Sequence, residues 1–155
     1  MNNSDFMLAD AIDAIQEVLD SGATFRIYPK GVSMLPLIVE SRDSVVLSKC
    51  GEVPAKKHDI VLYRRNDGHF VLHRIMKIEK DGTYTMCGDN QLALERKIQA
   101  HQIIACVTEI YRAERRISTN SIAYRVYVFL WTKRPLRWIA FLPRRAARKL
   151  KRIFS

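Results

Sequence analysis

The sequence predicts a mainly β protein. A small, antiparallel, barrel-like core lies between an amphipathic N-terminal helix and a basic, helical C-terminal tail. Three observations support this prediction. Apolar residues recur at helical spacing before residue 22. Short runs rich in β-branched and aromatic residues, separated by turn signals, then occupy residues 23–112. Most of the positive charge follows in residues 113–155.

Residues 4–20 predict the amphipathic helix. Its apolar positions recur every three or four residues, at Leu8, Ala11, Ile12, Ile15, Val18 and Leu19. Acidic residues occupy the other face, Ser4 can cap the first turn, and Gly22 suits the C-terminal end. These acids interrupt the apolar residues, and no basic segment precedes them, so the pattern is not typical of a signal peptide.

Six strand candidates follow the helix, and hairpin signals join several of them. They are residues 23–28, 44–48, 58–63, 69–78, 83–87 and 102–111. Asn66-Asp67-Gly68 and Asp81-Gly82 are typical of the turns that connect antiparallel strands. The sequence therefore favours a compact, mostly antiparallel sheet or small barrel.

The three cysteines form no recognisable framework. Cys50, Cys87 and Cys106 are widely spaced, and none belongs to a C-x-x-C pair. We therefore expect buried, reduced thiols rather than disulfides or a zinc site. No other spacing typical of metal ligands is evident, and we expect neither a metal nor a cofactor.

The net charge of +10 belongs almost entirely to the tail. Residues 1–111 carry 13 Lys/Arg against 15 Asp/Glu, whereas residues 112–155 carry 13 Lys/Arg against Glu114 alone. The basic pI therefore does not indicate a core that binds nucleic acid. Pro135 and Pro143 interrupt the tail and predict two or three short helices in place of one.

The tail is similar to segments that lie in a membrane interface. Over residues 117–155, Phe129, Trp131, Trp138 and Phe141 are interleaved with Lys and Arg. No uninterrupted apolar run reaches the roughly 20 residues that a spanning helix needs. We expect a cytoplasmic protein bound peripherally to an anionic membrane surface through this tail. The alternatives are a helix packed on the core and, less favoured, a segment that binds nucleic acid or an acidic partner.

Three short motifs in the core carry groups that could act together. Ser33 lies in the Gly- and Pro-bounded stretch GVSMLP, His73 lies in the strand FVLHRI, and Asp89 lies in a GDN turn. A serine hydroxyl is a weak nucleophile and needs a base within hydrogen-bond reach. The imidazole in turn needs a third group to hold its tautomer. Asp89 and Glu95 are the two candidates for that group.

The order of these motifs resembles the type I signal peptidases and their relatives, the LexA-type self-cleaving repressors. Ser-Met-x-Pro precedes His-Arg by 40 residues, and Gly-Asp-Asn follows. Residues 42–46 and 58–63 are similar to two Gly-Asp segments of that family, with Arg42 and His58 in place of glycine. The resemblance covers residues 24–111.

The resemblance implies a serine endopeptidase with Ser33 as nucleophile and His73 as general base, in place of the lysine of most bacterial members. In the histidine branch an acid follows the Gly-Asp turn, and Glu95 lies seven residues after Gly88. Glu95 is thus favoured as the orienting acid. Asp89 is expected to stabilise the turn and to assist, and the choice between the two acids stays open.

The resemblance also implies a substrate cleft bordered by Gly31, Met34 and Pro36. The backbone N–H of Ser33 would serve the oxyanion hole. Many signal peptidases add a serine hydroxyl two residues before the nucleophile, and Gly31 occupies that position here. A side-chain oxyanion donor is therefore missing.

The implied reaction is hydrolysis of a precursor peptide or protein at its signal or leader sequence, through an acyl-enzyme. Signal peptidases usually carry an N-terminal membrane anchor before the serine, and here the acidic helix takes that place. The alternative function is a non-catalytic module that keeps the peptidase fold and binds a peptide or nucleic acid.

Overall fold

The fold is known from a computed structural model, which describes residues 14–50, 55–119 and 121–133. Residues 14–20 form helix α1. Helix α2 is Ile122–Thr132, and a 3-10 turn spans Ala100–Gln102. The eight strands are β1 (Phe25–Ile27), β2 (Asp43–Ser48), β3 (Ile60–Arg64), β4 (Phe70–Ile78), β5 (Tyr84–Cys87), β6 (Glu95–Ile98), β7 (Ile103–Arg112) and β8 (Arg115–Ile117).

One antiparallel sheet contains all eight strands. Its order is β1-β2-β7-β3-β4-β5-β6, and β8 pairs with the end of β7. β7 is central because it pairs with both β2 and β3. The prediction of a mainly β, antiparallel fold is confirmed. No pairing between described strands joins β1 to β6, so the sheet is open where a barrel would be closed.

Apolar clusters cover both faces of the central strands. Along β3, Ile60 and Leu62 belong to one cluster, whereas Val61 and Tyr63 belong to the other. Successive side chains on a strand point to opposite faces, which explains why this strand is a continuous apolar run. In helix α1, Leu19 packs into the first cluster. Residues 4–13 of the predicted helix, with the Ser4 cap, lie outside the described residues.

Two short strands fall outside the predicted pattern. β6 has the sequence Glu-Arg-Lys-Ile and forms an edge of the sheet. Its polar composition carries no strand signal. β8 follows a tight turn in which Ala113 and Glu114 both have positive φ, at 44° and 66°. The sheet therefore continues past residue 112, the limit that the sequence predicts for the core.

The expectation of reduced thiols is wrong for two of the three cysteines. Cys50 and Cys106 form a disulfide, with their Cα atoms 5.1 Å apart. The register explains the pairing, because Ser48 at the end of β2 lies opposite Cys106 on β7. Cys50 follows two residues later. Cys87 is a buried thiol that donates to the carbonyl of Ala93 at 3.1 Å.

Only part of the predicted tail can be described. Helix α2 is its first helical segment, and residues 134–155, with Trp138, Phe141 and both proline breaks, lie outside the described residues. Among the helices of the described segments, none has the length and apolar character needed to cross a membrane.

The disulfide predicts a definite thiol count. Unfolded without reductant, the protein should expose one reactive thiol per chain, that of Cys87, and three after reduction. We expect Cys50→Ser to lower the free energy of unfolding by about 2–4 kcal/mol, because the bridge constrains a long loop of the unfolded chain. Thiol titration and urea denaturation provide the two measurements.

Cys87→Ser is the control for the count. It should reduce the number of thiols without reductant from one to none while leaving the disulfide intact. Three reactive thiols in the wild-type protein without reductant would contradict the pairing.

Candidate active site

Ser33 lies on a tight loop between β1 and β2. Apolar side chains pin this loop to the core, because Met34, Leu37 and Ile38 are each at least 95% buried. The N–H of Ile38 donates to the carbonyl of Met34 at 3.0 Å and closes one turn of the loop. Ser33 itself is only partly buried. The buried residues of the loop therefore anchor it to the core, and Ser33 is held at the protein surface.

The three predicted cleft residues differ in position. Gly31 has φ +90°, a backbone conformation that favours glycine, and its N–H donates to Glu40 Oε2 at 2.9 Å. Gly31 and Met34 line one cavity with Ser33, and Met34 is otherwise buried in the core. Pro36 is exposed, follows a cis peptide bond, and does not line this cavity.

His73 lies in the middle of β4, where it pairs with Val61 of β3. Its side chain is 1% exposed. The pKa of His73 is lowered to about 4, chiefly because burial disfavours the charged imidazolium; the charge of Glu95 opposes this shift and that of Arg65 adds to it. At neutral pH the imidazole is therefore uncharged.

Glu95, at the start of β6, is the acid that reaches His73. Its Oε1 lies 3.3 Å from Nδ1 of the imidazole. Tyr63 on β3 joins the same group, since its hydroxyl donates to Glu95 Oε2 at 2.8 Å and lies 3.2 Å from His73 Nδ1. Three separate strands thus bring one carboxylate, one phenol and one imidazole together.

These contacts define the tautomer of His73. The single hydroxyl proton of Tyr63 is donated to Glu95, so the phenol oxygen can only accept from Nδ1. Nδ1 therefore carries the imidazole proton, and Nε2 is left as an acceptor. A neutral histidine with an unprotonated Nε2 is the form that a general base requires.

Arg65 holds Glu95 in its ionised form. The Nε atom of Arg65 donates to Glu95 Oε2 at 2.7 Å, and the guanidinium makes a second bond to Oε1. Burial alone would raise the pKa of Glu95, but the hydrogen bonds from Arg65 and Tyr63 outweigh burial and hold it below its ordinary value. The carboxylate beside His73 is therefore charged.

Ser33 and His73 share a cavity of about 260 Å³. Its other lining side chains include Arg65, Phe70 and Leu72. Among the described residues, no hydrogen bond joins the Ser33 hydroxyl to His73, and the Ser33 N–H has no acceptor. Hydrogen bonds between catalytic groups are often long in structures without substrate. The N–H is thus available to a ligand oxygen.

Gly88 lies against both groups. A Cβ atom at this position would lie 2.6 Å from the Ser33 carbonyl oxygen and 3.0 Å from His73 Nε2. Real Cβ atoms do not approach backbone so closely, so any larger residue would push the serine loop away. The GDN turn therefore fixes the spacing between the Ser33 backbone and the acceptor nitrogen of His73.

Asn90 of the same turn holds the serine loop directly. Its backbone N–H donates to the Ser33 carbonyl at 2.7 Å, and its side-chain amide donates to the Val32 carbonyl at 2.9 Å. These two bonds attach the loop that carries the candidate nucleophile to the turn that packs against His73.

Asp89 points away from this cavity into the interior. It forms a bidentate pair with Arg74, with Nε–Oδ1 and Nη2–Oδ2 distances of 2.8 and 2.7 Å, and both side chains are 0% exposed. Of the two candidate acids, the structure therefore brings Glu95, and not Asp89, into direct contact with the imidazole of His73.

Helix α2 completes the surroundings of Asp89. The hydroxyl of Tyr127 donates to Asp89 Oδ2 at 2.8 Å, and the indole N–H of Trp131 donates to the Asp89 carbonyl at 2.6 Å. The two aromatic rings stack with centroids 5.5 Å apart. The start of the predicted tail is thus a helix packed on the core.

Tyr63, Arg65 and Asn90 are site residues that the sequence analysis did not identify. Tyr63 lies two residues from Val61, the cross-strand partner of His73, so its contact with His73 depends on a strand register that only the structure shows. Arg65 and Asn90 carry no sequence signal either. Within the segments that the structure describes, no three His, Cys, Asp or Glu side chains are placed to hold a metal ion.

The burial of His73 predicts its titration. The unfolded chain takes up this proton near pH 6.5, whereas the folded chain takes it up only near pH 4. Between these values the unfolded state binds more protons, so the contribution to stability is complete above pH 6.5 and is lost as the pH falls through 4. NMR titration of the ring protons should give a midpoint near pH 4.

His73→Gln identifies the signal by its disappearance. In the same variant, the decline of unfolding free energy between pH 6.5 and 4 should be shallower than in the wild type. A His73 midpoint near 6.5 would contradict the buried, neutral imidazole.

The Arg74–Asp89 pair makes a prediction about stability. Asp89→Asn should lower the free energy of unfolding by about 3–5 kcal/mol, because it leaves the buried Arg74 charge without a counterion. Asp20→Asn is the matched control, since Asp20 pairs with Lys49 at an exposed position and should change stability by less than about 1 kcal/mol. Urea denaturation followed by circular dichroism measures both. Equal effects of the two substitutions would contradict the importance of the buried pair.

The chain was compared with protein-family models and with curated proteins. No family model matches it, and no curated protein matches it. The resemblance to signal peptidases therefore depends on the motifs of the sequence, and the function has to be argued from the geometry around Ser33, His73 and Glu95.

Proposed function

We propose that this chain is a serine endopeptidase that cleaves the signal or leader peptide of a precursor, with Ser33 as nucleophile and His73 as general base. The observation that supports this most directly is the arrangement at one cavity. Ser33 and His73 both line it, and Glu95 Oε1 lies 3.3 Å from Nδ1 of the imidazole. Serine, base and orienting acid in this order are the parts that acyl transfer requires.

The proposed reaction has two stages. His73 Nε2 takes the proton of the Ser33 hydroxyl while Oγ attacks the scissile carbonyl carbon, and the same proton then passes to the leaving amine. The resulting acyl-enzyme is hydrolysed by a water molecule that His73 activates in the same way. The ionised Glu95 stabilises the imidazolium that forms at each stage. The N–H of Ser33 would donate to the oxyanion.

The cavity restricts the substrate. About 260 Å³, bordered by Phe70 and Leu72, accommodates a few small side chains and excludes a folded element. The peptide would therefore bind in an extended form. The resemblance to signal peptidases also favours small residues beside the scissile bond.

A binding module without catalytic activity is the second candidate. It is favoured by one observation, the absence of a hydrogen bond between the Ser33 hydroxyl and His73 among the described residues. Such a module would hold a peptide in the same cavity without cleaving it. The ionised acid and the fixed tautomer of His73 have no use in that function, and for this reason the peptidase is preferred.

Cleavage of synthetic precursor peptides provides the test. Wild-type protein should cleave peptides of signal or leader type, and Ser33→Ala and His73→Ala should each reduce kcat by at least about 10³-fold. Ser48→Ala is a matched control on β2, outside the cavity, and should retain wild-type activity. Products are identified by mass spectrometry.

Glu95→Gln tests the orienting acid. It should lower kcat by about 10²- to 10⁴-fold with little change in KM, because the stabilisation of the imidazolium is lost. Cleavage by Ser33→Ala at the wild-type rate would refute the mechanism. Peptides that bind the wild type and stay intact would support the binding module.

A further inference from the structure

Helix α2 has apolar side chains on two faces, but only the inner face packs on the core. The inner face carries Tyr124, Tyr127 and Trp131, which pack on the sheet or bond to Asp89. The outer face carries large apolar side chains that are 44–79% exposed: Ile122, Val126, Phe129 and Leu130. Their spacing of three, four and seven residues places them on one side of the helix. This set is named the outer stripe.

Such a stripe is unusual on a protein surface. Single exposed apolar residues are common, but four of them aligned along one helix form a contiguous patch, which marks an interaction surface. None of the four donates or accepts a side-chain hydrogen bond. Each of these side chains leaves a large part of its apolar surface exposed, which the packing of α2 on the sheet does not explain.

Cationic side chains lie beside Phe129 of the outer stripe. Arg125 and Lys133 belong to the same helical region, and the ammonium of Lys133 lies 5.0 Å from the centre of the Phe129 ring. Lys57 approaches from the loop before β3, and together these three cations line a groove of about 370 Å³ beside α2. The groove also contains Thr119, whose hydroxyl suits a phosphate, whereas the hydroxyl of Thr132 donates to the carbonyl of Val128 at 2.7 Å.

The rest of the tail has the same charge. Residues 121–155 contain ten Lys/Arg and no Asp or Glu. An apolar stripe beside these cations, on a segment without Asp or Glu, fits a surface that has an apolar interior and an anionic exterior. A second copy of this chain would bring the same positive charges together, which disfavours a dimer through this face.

We propose that the outer stripe of α2 docks on an anionic phospholipid bilayer, with the apolar side chains at the level of the acyl chains. Lys57, Arg125 and Lys133 bind lipid phosphates in the adjoining groove. The interaction is independent of peptidase activity. Because the inner face of α2 bonds to Asp89, docking also fixes the orientation of the cavity relative to the membrane.

Vesicle co-sedimentation with the full chain tests this surface. Wild-type protein should bind vesicles of phosphatidylcholine that contain about 30% phosphatidylserine. Its affinity for vesicles of phosphatidylcholine alone should be at least about tenfold lower. Val126→Asp should weaken binding to the anionic vesicles by at least about tenfold, because it removes an inserted side chain and adds a repelled charge. Ile78→Asp is the matched control. Ile78 is 42% exposed, against 49% for Val126, but lies on β4, so this variant should bind within about twofold of wild type.

Lys57→Gln tests the groove in the same assay. It should reduce the preference for anionic over neutral vesicles, whereas Lys80→Gln, at the exposed turn after β4, should leave it unchanged. Wild-type binding by Val126→Asp would overturn the proposal and assign any affinity to residues 134–155. Tighter binding to double-stranded DNA than to anionic vesicles at 0.15 M salt would also overturn it, in favour of nucleic acid. None of these measurements depends on peptide cleavage, so either proposal can fail without the other.

Discussion

The buried pair of Arg74 and Asp89 is the interaction on which the rest of the site depends. Removing both charges from water costs several kcal/mol for each ion, and only nearly ideal geometry offsets that cost. Arg74 donates two hydrogen bonds to Asp89 and a third to the carbonyl of His58. The hydroxyl of Tyr127 donates a further bond to Asp89. The pair therefore joins β4, the turn after β5 and helix α2 into one unit.

The Arg74–Asp89 pair also affects the geometry of the cavity, because Arg74 lies next to His73 on β4. Arg74 follows His73 directly, so the two side chains lie on opposite faces of the sheet. The turn that Arg74 holds through Asp89 also contains Gly88, which packs against His73, and Asn90, which holds the Ser33 loop. A rigid ion pair on one face thus sets the spacing of two polar groups on the other.

The sequence predicts much of this arrangement but not its details. Alternating apolar runs and Gly/Asn turns locate six of the eight strands, whereas the polar edge strand β6 and the short β8 carry no such signal. The order of the motifs predicts that Ser33 and His73 act together and favours Glu95 as the acid, while it leaves Asp89 open as the alternative. Strand register decides the contacts of Tyr63 and the Cys50–Cys106 bridge, and a single sequence does not encode register in any local pattern.

The two acids show how environment separates groups of equal charge. Asp89 forms an ion pair with the buried Arg74. Glu95 accepts hydrogen bonds from Arg65 and Tyr63 and also contacts His73. Burial lowers the pKa of His73 and Arg65 offsets part of the field of Glu95, so the imidazole is neutral and is a weak base. A bound peptide would exclude water from the cavity and strengthen the attraction between Glu95 and a forming imidazolium. In the proposed mechanism, binding of the substrate therefore makes His73 a stronger general base.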